Sequence, residues 1–263
     1  MINFRSIVSG SSGNCSIFSD GETNILIDCG LSGKKITAFL NEMEVDPHEI
    51  NGILVTHEHI DHTSGVGVFS RKYDIPVIAS KGTWEGMEIG KIEDKNKIAF
   101  LKNEPMCIGG ICVTPFDIPH DANQPTGFLI EKSGKRYAVA TDMGYITDEV
   151  IDTLSGCTAV ILEANYDEQM LKNGSYPAVL KERISGKSGH LDNRDTGVLA
   201  SKLVKLGTKR IMLGHLSNEN NSPEIAFAEV ARELEFNGIY VGQDVQLSIA
   251  PRYEKSENLC INL

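Results

Sequence analysis

The sequence predicts an α/β protein in which two sheets pack face to face and helices cover their outer surfaces. Two observations carry this expectation. Strand-rich stretches give way to alternating helix and strand patterns, and this order occurs twice along the chain. No Pro/Gly/Ser-rich linker, repeat or low-complexity tract interrupts it, so one domain over residues 1–263 is expected. At 41% hydrophobic, 263 residues suffice for a large core.

The elements follow in order. NFRSIV (3–8), CSIFS (15–19) and NILIDCG (24–30) are short β-rich runs joined by the turn sequences SGSSGN and DGET, so they predict a meander. Ser32 is placed to cap a helix over GKKITAFLNEM, where Ile36, Phe39, Leu40 and Met43 recur at helical spacing. NGILVT (51–56) reads as a buried strand and GVGVFSRKY (65–73) as a helix leaving the segment between them. CIGGICVTPFDI, PTGFLIEK and KRYAVATD predict a second meander across residues 107–142. Helix and strand patterns then alternate through DEVIDTL, TAVILEAN, PAVLKERI, NRDTGVLASKLVKL, KRIMLGH and PEIAFAEVARELEF.

Composition narrows the function. A net charge of −11 disfavours nonspecific adhesion to nucleic acid or to an anionic membrane. The six cysteines are scattered without a C-x-x-C pair, and the start MINFRSIVSG lacks a signal-peptide pattern, so reduced thiols in a cytoplasmic protein are expected. No apolar stretch approaches the roughly 18 residues of a membrane span, so no membrane association is expected. Without a Walker signature, no nucleotide cofactor is expected.

Chemistry concentrates in LVTHEHIDHTSGV (54–66). Histidine occurs only seven times in the chain, yet His57, His59 and His62 fall within six positions, with Asp61 among them. Imidazole and carboxylate are the ligands a first-row divalent ion prefers. A loop of alternating orientation can turn His57 and His59 one way and Asp61 and His62 another, enough for two ions. Glu58 reads as a bystander. Three further histidines, His120, His190 and His215, each follow an apolar strand-like run, as do Asp28 and Asp142. His48, at a helix start, reads as a surface residue.

On these residues the chain resembles the metallo-β-lactamase fold superfamily from about residue 1 to 250. Asp28, THEHIDH, His120, Asp142 and His215 match its five motifs in order. The resemblance implies a four-layer αβ/βα sandwich with metals at one edge between the sheets. It implies His57, His59 and His120 on one ion, Asp61, His62 and His215 on a second, Asp142 as a bridge, and Asp28 behind a ligand to orient it. Asp61 then also counts among the catalytic residues. Glu163 in EANYD and His190 in GHLDN are similar to a proton-transfer pair of the nucleic-acid-processing branches. Together with SGSSGNCSIF and IPHDANQPTGF, those segments resemble the bacterial YycJ (VicX, WalJ) group, associated with 5′ to 3′ exonuclease action on DNA. No role is carried onto Tyr166, where many relatives have histidine. The interval from Asp142 to His215 is too short for the extra domain of mRNA-cleaving relatives.

The expected cofactors are two divalent ions, Mn²⁺ or Zn²⁺, which an N/O ligand set without cysteine suits equally. DNA is the expected substrate despite the acidic total. Residues 172–210 hold nine basic residues against three acidic ones, a local +6, with −17 elsewhere, and this run brackets His190 on the way to His215. Within it Lys187 and Arg194, and in the SGSSGN turn Ser11, Ser12 and Asn14, are the candidate phosphate contacts. The residues leave two other functions open: a small-molecule metallohydrolase such as a cyclic phosphodiesterase or thioesterase, and a noncatalytic metal-binding regulator.

Overall fold

The computed structural model describes residues 2–260. Strands β1 (Asn3–Val8), β2 (Cys15–Ser19) and β3 (Asn24–Ile27) form the first antiparallel meander. Helix α1 (Gly33–Glu42) then leads to β4 (Ile50–Leu54), which pairs parallel with β3. The one-turn helix α2 (Ile60–Thr63), α3 (Val66–Tyr73), β5 (Val77–Ala79), α4 (Lys81–Gly86) and β6 (Lys97–Ala99) complete a six-stranded sheet in the order β1-β2-β3-β4-β5-β6.

The second half repeats the plan. Strands β7 (Met106–Ile108), β8 (Ile111–Asp117), β9 (Thr126–Lys132) and β10 (Lys135–Ala140) form an antiparallel meander. Helix α5 (Asp148–Leu154), β11 (Ala159–Glu163), α6 (Glu168–Asn173), α7 (Ala178–Ser185), α8 (Asn193–Lys205), β12 (Arg210–Gly214), α9 (Pro223–Phe236) and β13 (Gln246–Ile249) follow. Strands β10 to β13 are parallel, giving a seven-stranded sheet in the order β13-β12-β11-β10-β9-β8-β7.

Side-chain alternation explains why the central strands read as continuous apolar runs: both of their faces are buried. Tyr137, Val139, Ala159, Ile161 and Met212 join Phe4, Phe18, Ile25, Ile27 and Leu54 in a core between the two sheets. Their neighbours Ala138, Ala140, Val160, Leu162, Ile211 and Leu213 face the other way, into a layer closed by α5, α8 and α9. Leu26 and Ile53 do the same for the first sheet, under α1 and α3. The result is the expected four-layer sandwich. Phe4, Phe18 and Tyr137 lock the inter-sheet layer with ring centroids 5.0–6.0 Å apart, each pair adding about 0.5–1.5 kcal/mol beyond area burial. Among the described residues no helix is long and apolar enough to cross a membrane.

Candidate metal centre

Parallel strands point their C-terminal ends the same way, so residues just beyond those ends collect at one edge of the sandwich. Asp28 follows β3, the His57–His62 segment follows β4, Asp142 follows β10, Glu163 ends β11 and His215 follows β12. The loop after β8 adds His120. Asp28, Asp142 and His215 all take the left-handed backbone conformation, with φ of 61°, 63° and 54°. Non-glycine residues rarely adopt it, at a cost of about 1–3 kcal/mol each. Hydrogen bonds hold two of these turns: Asp28 N donates to Leu54 O at 2.8 Å, and His215 N to Ser9 Oγ at 2.7 Å. Gly30 is required for a different reason, since a Cβ there would collide with the Asp61 carbonyl oxygen. That close approach lets Asn14 N donate to Asp61 O at 2.8 Å and Cys29 N to His62 O at 2.9 Å.

The motif is only half a loop. His57 and His59 lie on irregular backbone, whereas Asp61 and His62 sit on α2. Two tripods result. The ligand atoms of His57, His59 and His120 lie within 4.8 Å of one another, as do those of Asp61, His62 and His215. Asp142 stands between the tripods, with Oδ2 3.3 Å from His62 Nε2 and Oδ1 3.8 Å from His120 Nε2 and 3.3 Å from His215 Nδ1.

Charge and satisfaction of polar groups both fit a divalent cation. Asp142 Oδ2 is buried without a hydrogen-bond partner, a costly state for a carboxylate oxygen unless a cation faces it. Burial alone would raise the Asp61 carboxyl, but hydrogen bonds and charge from His215 and His62 hold it far below the usual carboxylate range. Burial would lower His62 and His215, yet Asp142 and the neighbouring carboxylates outweigh it. They raise His62 well above its ordinary value and push His215 up to about 10. His57 and His120 go the other way, lowered first by burial, which leaves their lone pairs free to coordinate. Asp61, Asp142 and Glu163 thus concentrate negative charge where oxygen and nitrogen donors converge, the setting for a metal cation.

A second ring of contacts orients these groups. Asp28 Oδ2 is 2.8 Å from His62 Nδ1 and accepts from Thr56 Oγ1 at 2.9 Å, which turns His62 Nε2 toward the cluster. Thr56 Oγ1 also lies 3.0 Å from His57 Nδ1. Glu163 is wholly buried, and its Oε1 meets Nδ1 of both His190 and His215 at 2.8 Å. Burial would raise this carboxyl, but the two histidines hold it below the usual range. Asn165 Nδ2 donates to His215 O at 2.8 Å. Thr56, Asn165 and Ser9 lie in segments quoted from the sequence but are given no role there. Asp121 is another such residue: its Oδ1 is 3.3 Å from His120 Nε2, and Arg183 pairs with its Oδ2. All four lie in segments the sequence singles out, THEHIDH, IPHDANQPTGF, EANYD and SGSSGN, and Thr56 and Asp121 are immediate neighbours of motif histidines.

The expected phosphate contacts fall in different places. Ser11 and Ser12 are exposed on their turn. The Asn14 side chain is turned inward, 3.1 Å from His62 Nε2 and 3.3 Å from Asp61 Oδ2, so it braces the cluster rather than facing solvent. Lys187 and Arg194 are exposed on the segment around His190. Helix α8 spreads the basic run, with Arg194 in its first turn and Lys202 and Lys205 in its last, roughly 12–17 Å away at 1.5 Å per residue. Lys209 and Arg210 precede or begin β12, at the end of that strand opposite His215. Glu58 also has a defined place: Oε1 accepts from Asn123 N at 2.7 Å and ties the 121–125 loop to the motif.

Solvent reaches the cluster past three side chains, His59, Asp61 and His190, which are 30%, 22% and 18% exposed. The histidine–carboxylate chemistry is therefore open on one side only.

Comparison with known proteins fits this geometry. Residues 23–216 match the β-lactamase superfamily domain. The chain is 38% identical over 248 residues to the exodeoxyribonuclease YycJ of Bacillus anthracis, covering 94% of each chain. It is 37% identical over 245 residues to the exodeoxyribonuclease WalJ of Streptococcus pneumoniae, covering 92% of this chain and 91% of that one. The crystal structure of the metallo-β-lactamase fold protein YhfI from Bacillus subtilis superposes with a TM-score of 0.76 at 15% identity, over 98% of this chain and 99% of that one. The last match speaks to fold alone. With its five motif segments gathered at one sheet edge, the chain belongs to the β-lactamase superfamily and, within it, to the family of the YycJ and WalJ proteins.

Proposed function

We propose that this chain is a cytoplasmic metal-dependent phosphodiesterase that degrades DNA from the 5′ end. The observation that carries the reading is the buried Glu163 carboxylate, shared at 2.8 Å between His215 in the cluster and His190 at its mouth. Relatives named exodeoxyribonucleases support it. His57, His59 and His120 would hold one ion, and Asp61, His62 and His215 a second, with Asp142 serving both. Bound there, two divalent ions supply Lewis-acid polarisation of a phosphodiester and a lowered pKa for water.

The protein groups do the rest. Glu163 takes His190 Nδ1, which leaves Nε2 to carry a proton toward the mouth. His190 Nε2 gives that proton to the leaving oxygen, and the Glu163 charge stabilises the imidazolium beforehand. Asp61 commits Oδ2 to His62, His215 and Asn14, and its other oxygen orients the attacking water. Ser11, Ser12, Lys187 and Arg194 contact flanking phosphates.

The test compares substrates. The chain loaded with Mn²⁺ or Zn²⁺ is offered duplex DNA, bis(p-nitrophenyl) phosphate and S-lactoylglutathione. Turnover of DNA with release of mononucleotides is the expected result. Turnover of the thioester or of small diesters alone would make it a small-molecule hydrolase, and full metal content with no turnover would make it a binding protein.

A further inference from the structure

Beside His120 the surface opens into a cleft of about 650 Å³ whose lining residue Tyr145 has no part in the chemistry above. Its size is in the range that encloses a small ligand. Three loops make its walls and are fastened to one another: Gly144 N donates to Pro119 O at 2.8 Å, Asp121 N donates to Ser188 O at 3.0 Å, and His120 Nδ1 lies 3.0 Å from Gly189 O. Gly144 itself must lack a side chain, because a Cβ would strike the Lys187 carbonyl. The cleft is thus a preformed feature of the loops that carry His120 and His190.

Its lining is unusual for an ordinary surface hollow. Tyr145 is 47% exposed at the wall. Its neighbours are anchored: Met143 is fully buried with its N–H on Glu163 Oε2 at 2.7 Å, and Ile146 packs on the core. Thr147 fixes the far side by capping α5 through Val150 N. The chain therefore displays the Tyr145 ring on a short, pinned segment. Lys187 is exposed and also lines the cleft, its backbone lying against Gly144. Asp117 and Glu149, also in the lining, are both engaged by Lys102 Nζ, at 2.6 and 3.2 Å, which blunts their repulsion of an anionic ligand. An exposed aromatic ring, an exposed ammonium and a candidate metal ligand in one lining match a base, its phosphate and the scissile bond beside it.

We infer that this cleft is a nucleoside subsite, in which the base beside the scissile phosphate stacks on Tyr145 while Lys187 meets the adjoining phosphate. The inference rests on the nuclease reading and adds to it the residue that grips the base. Stacking tolerates any base, because every base has a π face, so the subsite would hold DNA without reading its sequence.

The test is a cycle between protein and substrate. Affinity for a fluorescent 5′-phosphorylated oligonucleotide is measured by anisotropy in Ca²⁺, and initial rates are measured in Mn²⁺. The wild-type chain is compared with Tyr145→Ala and Tyr145→Phe, each on an intact oligonucleotide and on ones carrying a tetrahydrofuran abasic residue at the first or second position. Tyr145→Ala is expected to weaken binding of the intact strand roughly 5- to 100-fold, the range for loss of one base–aromatic stack. Tyr145→Phe should restore it. On one of the abasic strands the wild type should itself bind weakly, and the alanine substitution should then make little further difference. Equal losses on intact and abasic strands, or failure of phenylalanine to rescue, would overturn the subsite while leaving wild-type DNA turnover intact. Absence of wild-type turnover on any strand would instead overturn the nuclease reading and the subsite with it.

Discussion

Replacing Glu163 with glutamine probes the centre through a single atom. The carboxylate faces four donors: His190 Nδ1 and His215 Nδ1 at Oε1, and Met143 N and Leu191 N at Oε2, the latter two at 2.7 and 3.3 Å. Glutamine has one carbonyl oxygen. The backbone N–H groups of Met143 and Leu191 cannot accept a hydrogen bond, so the carbonyl must take the Oε2 position and the amide NH₂ the Oε1 position. There it meets two imidazole nitrogens that donate in the native chain. To receive those hydrogens, Nδ1 of His190 and of His215 must give up its own, so the neutral ring carries its one proton on Nε2. For His215, Nε2 is the atom 3.4 Å from Asp61 Oδ2, on the cluster side. An Nε2–H cannot ligate. The Asp61–His62–His215 tripod should therefore lose about 10- to 100-fold in metal affinity, roughly 1.4–2.7 kcal/mol, the range for losing a partner of a ligating histidine. The His57–His59–His120 tripod makes no contact with Glu163 and should keep its affinity. Titration with Zn²⁺ against a competing chelator resolves the two steps, with circular dichroism to verify folding. Two unchanged affinities would refute the tautomer argument.

Three other outcomes follow from the same geometry. His190→Ala should retain both metals yet lose about 10²- to 10⁴-fold in kcat on DNA, the contribution of a general acid, and lose much less on bis(p-nitrophenyl) phosphate, whose leaving group needs little protonation. Equal losses would argue against proton donation. Metal affinity should rise with pH, because His62 and His215 are raised, His215 to about 10, and so hold protons at neutral pH that an incoming cation must displace. A plot of log affinity against pH from 6.5 to 9 should slope upward by about 1 to 2 as one or both protons are released, and a flat plot would contradict the ligand set. Lys187→Ala and Arg194→Ala should each reduce the salt slope of DNA affinity by roughly 1, whereas Lys205→Ala, at the far end of α8, should leave it unchanged. An equal effect of Lys205→Ala would restore the basic run as one surface.

The sandwich was legible in the sequence where burial left a strong signature. The apolar runs of β3, β4, β10, β11 and β12 lie between two packed layers, so nearly every position had to be hydrophobic. Strands of three residues gave no such signal. β5 is too short to show a period, and β6, exposed at all three residues, pairs only with β5. The seven residues named from H-x-H-x-D-H and the strand ends do come together, because parallel strands deliver their C-terminal neighbours to one edge. Contacts that depend on side-chain direction were not legible. Asn14 looked like a surface turn residue and turns inward. The Arg183–Asp121 pair joins positions 62 apart. Residues 172–210 are one basic stretch in the sequence, and α8 spreads part of that charge along its own length.

The most direct measurement of the central claim follows duplex DNA labelled at either the 5′ or the 3′ end, incubated with the Mn²⁺-loaded chain and, in parallel, with Asp142→Ala. The account predicts immediate release of the 5′ label as a mononucleotide, progressive shortening of the 3′-labelled strand, and loss of both activity and metal from each tripod in Asp142→Ala. An Asp142→Ala chain that keeps its full metal content and still degrades DNA would contradict it, as would a loaded wild-type chain that leaves both labels in place.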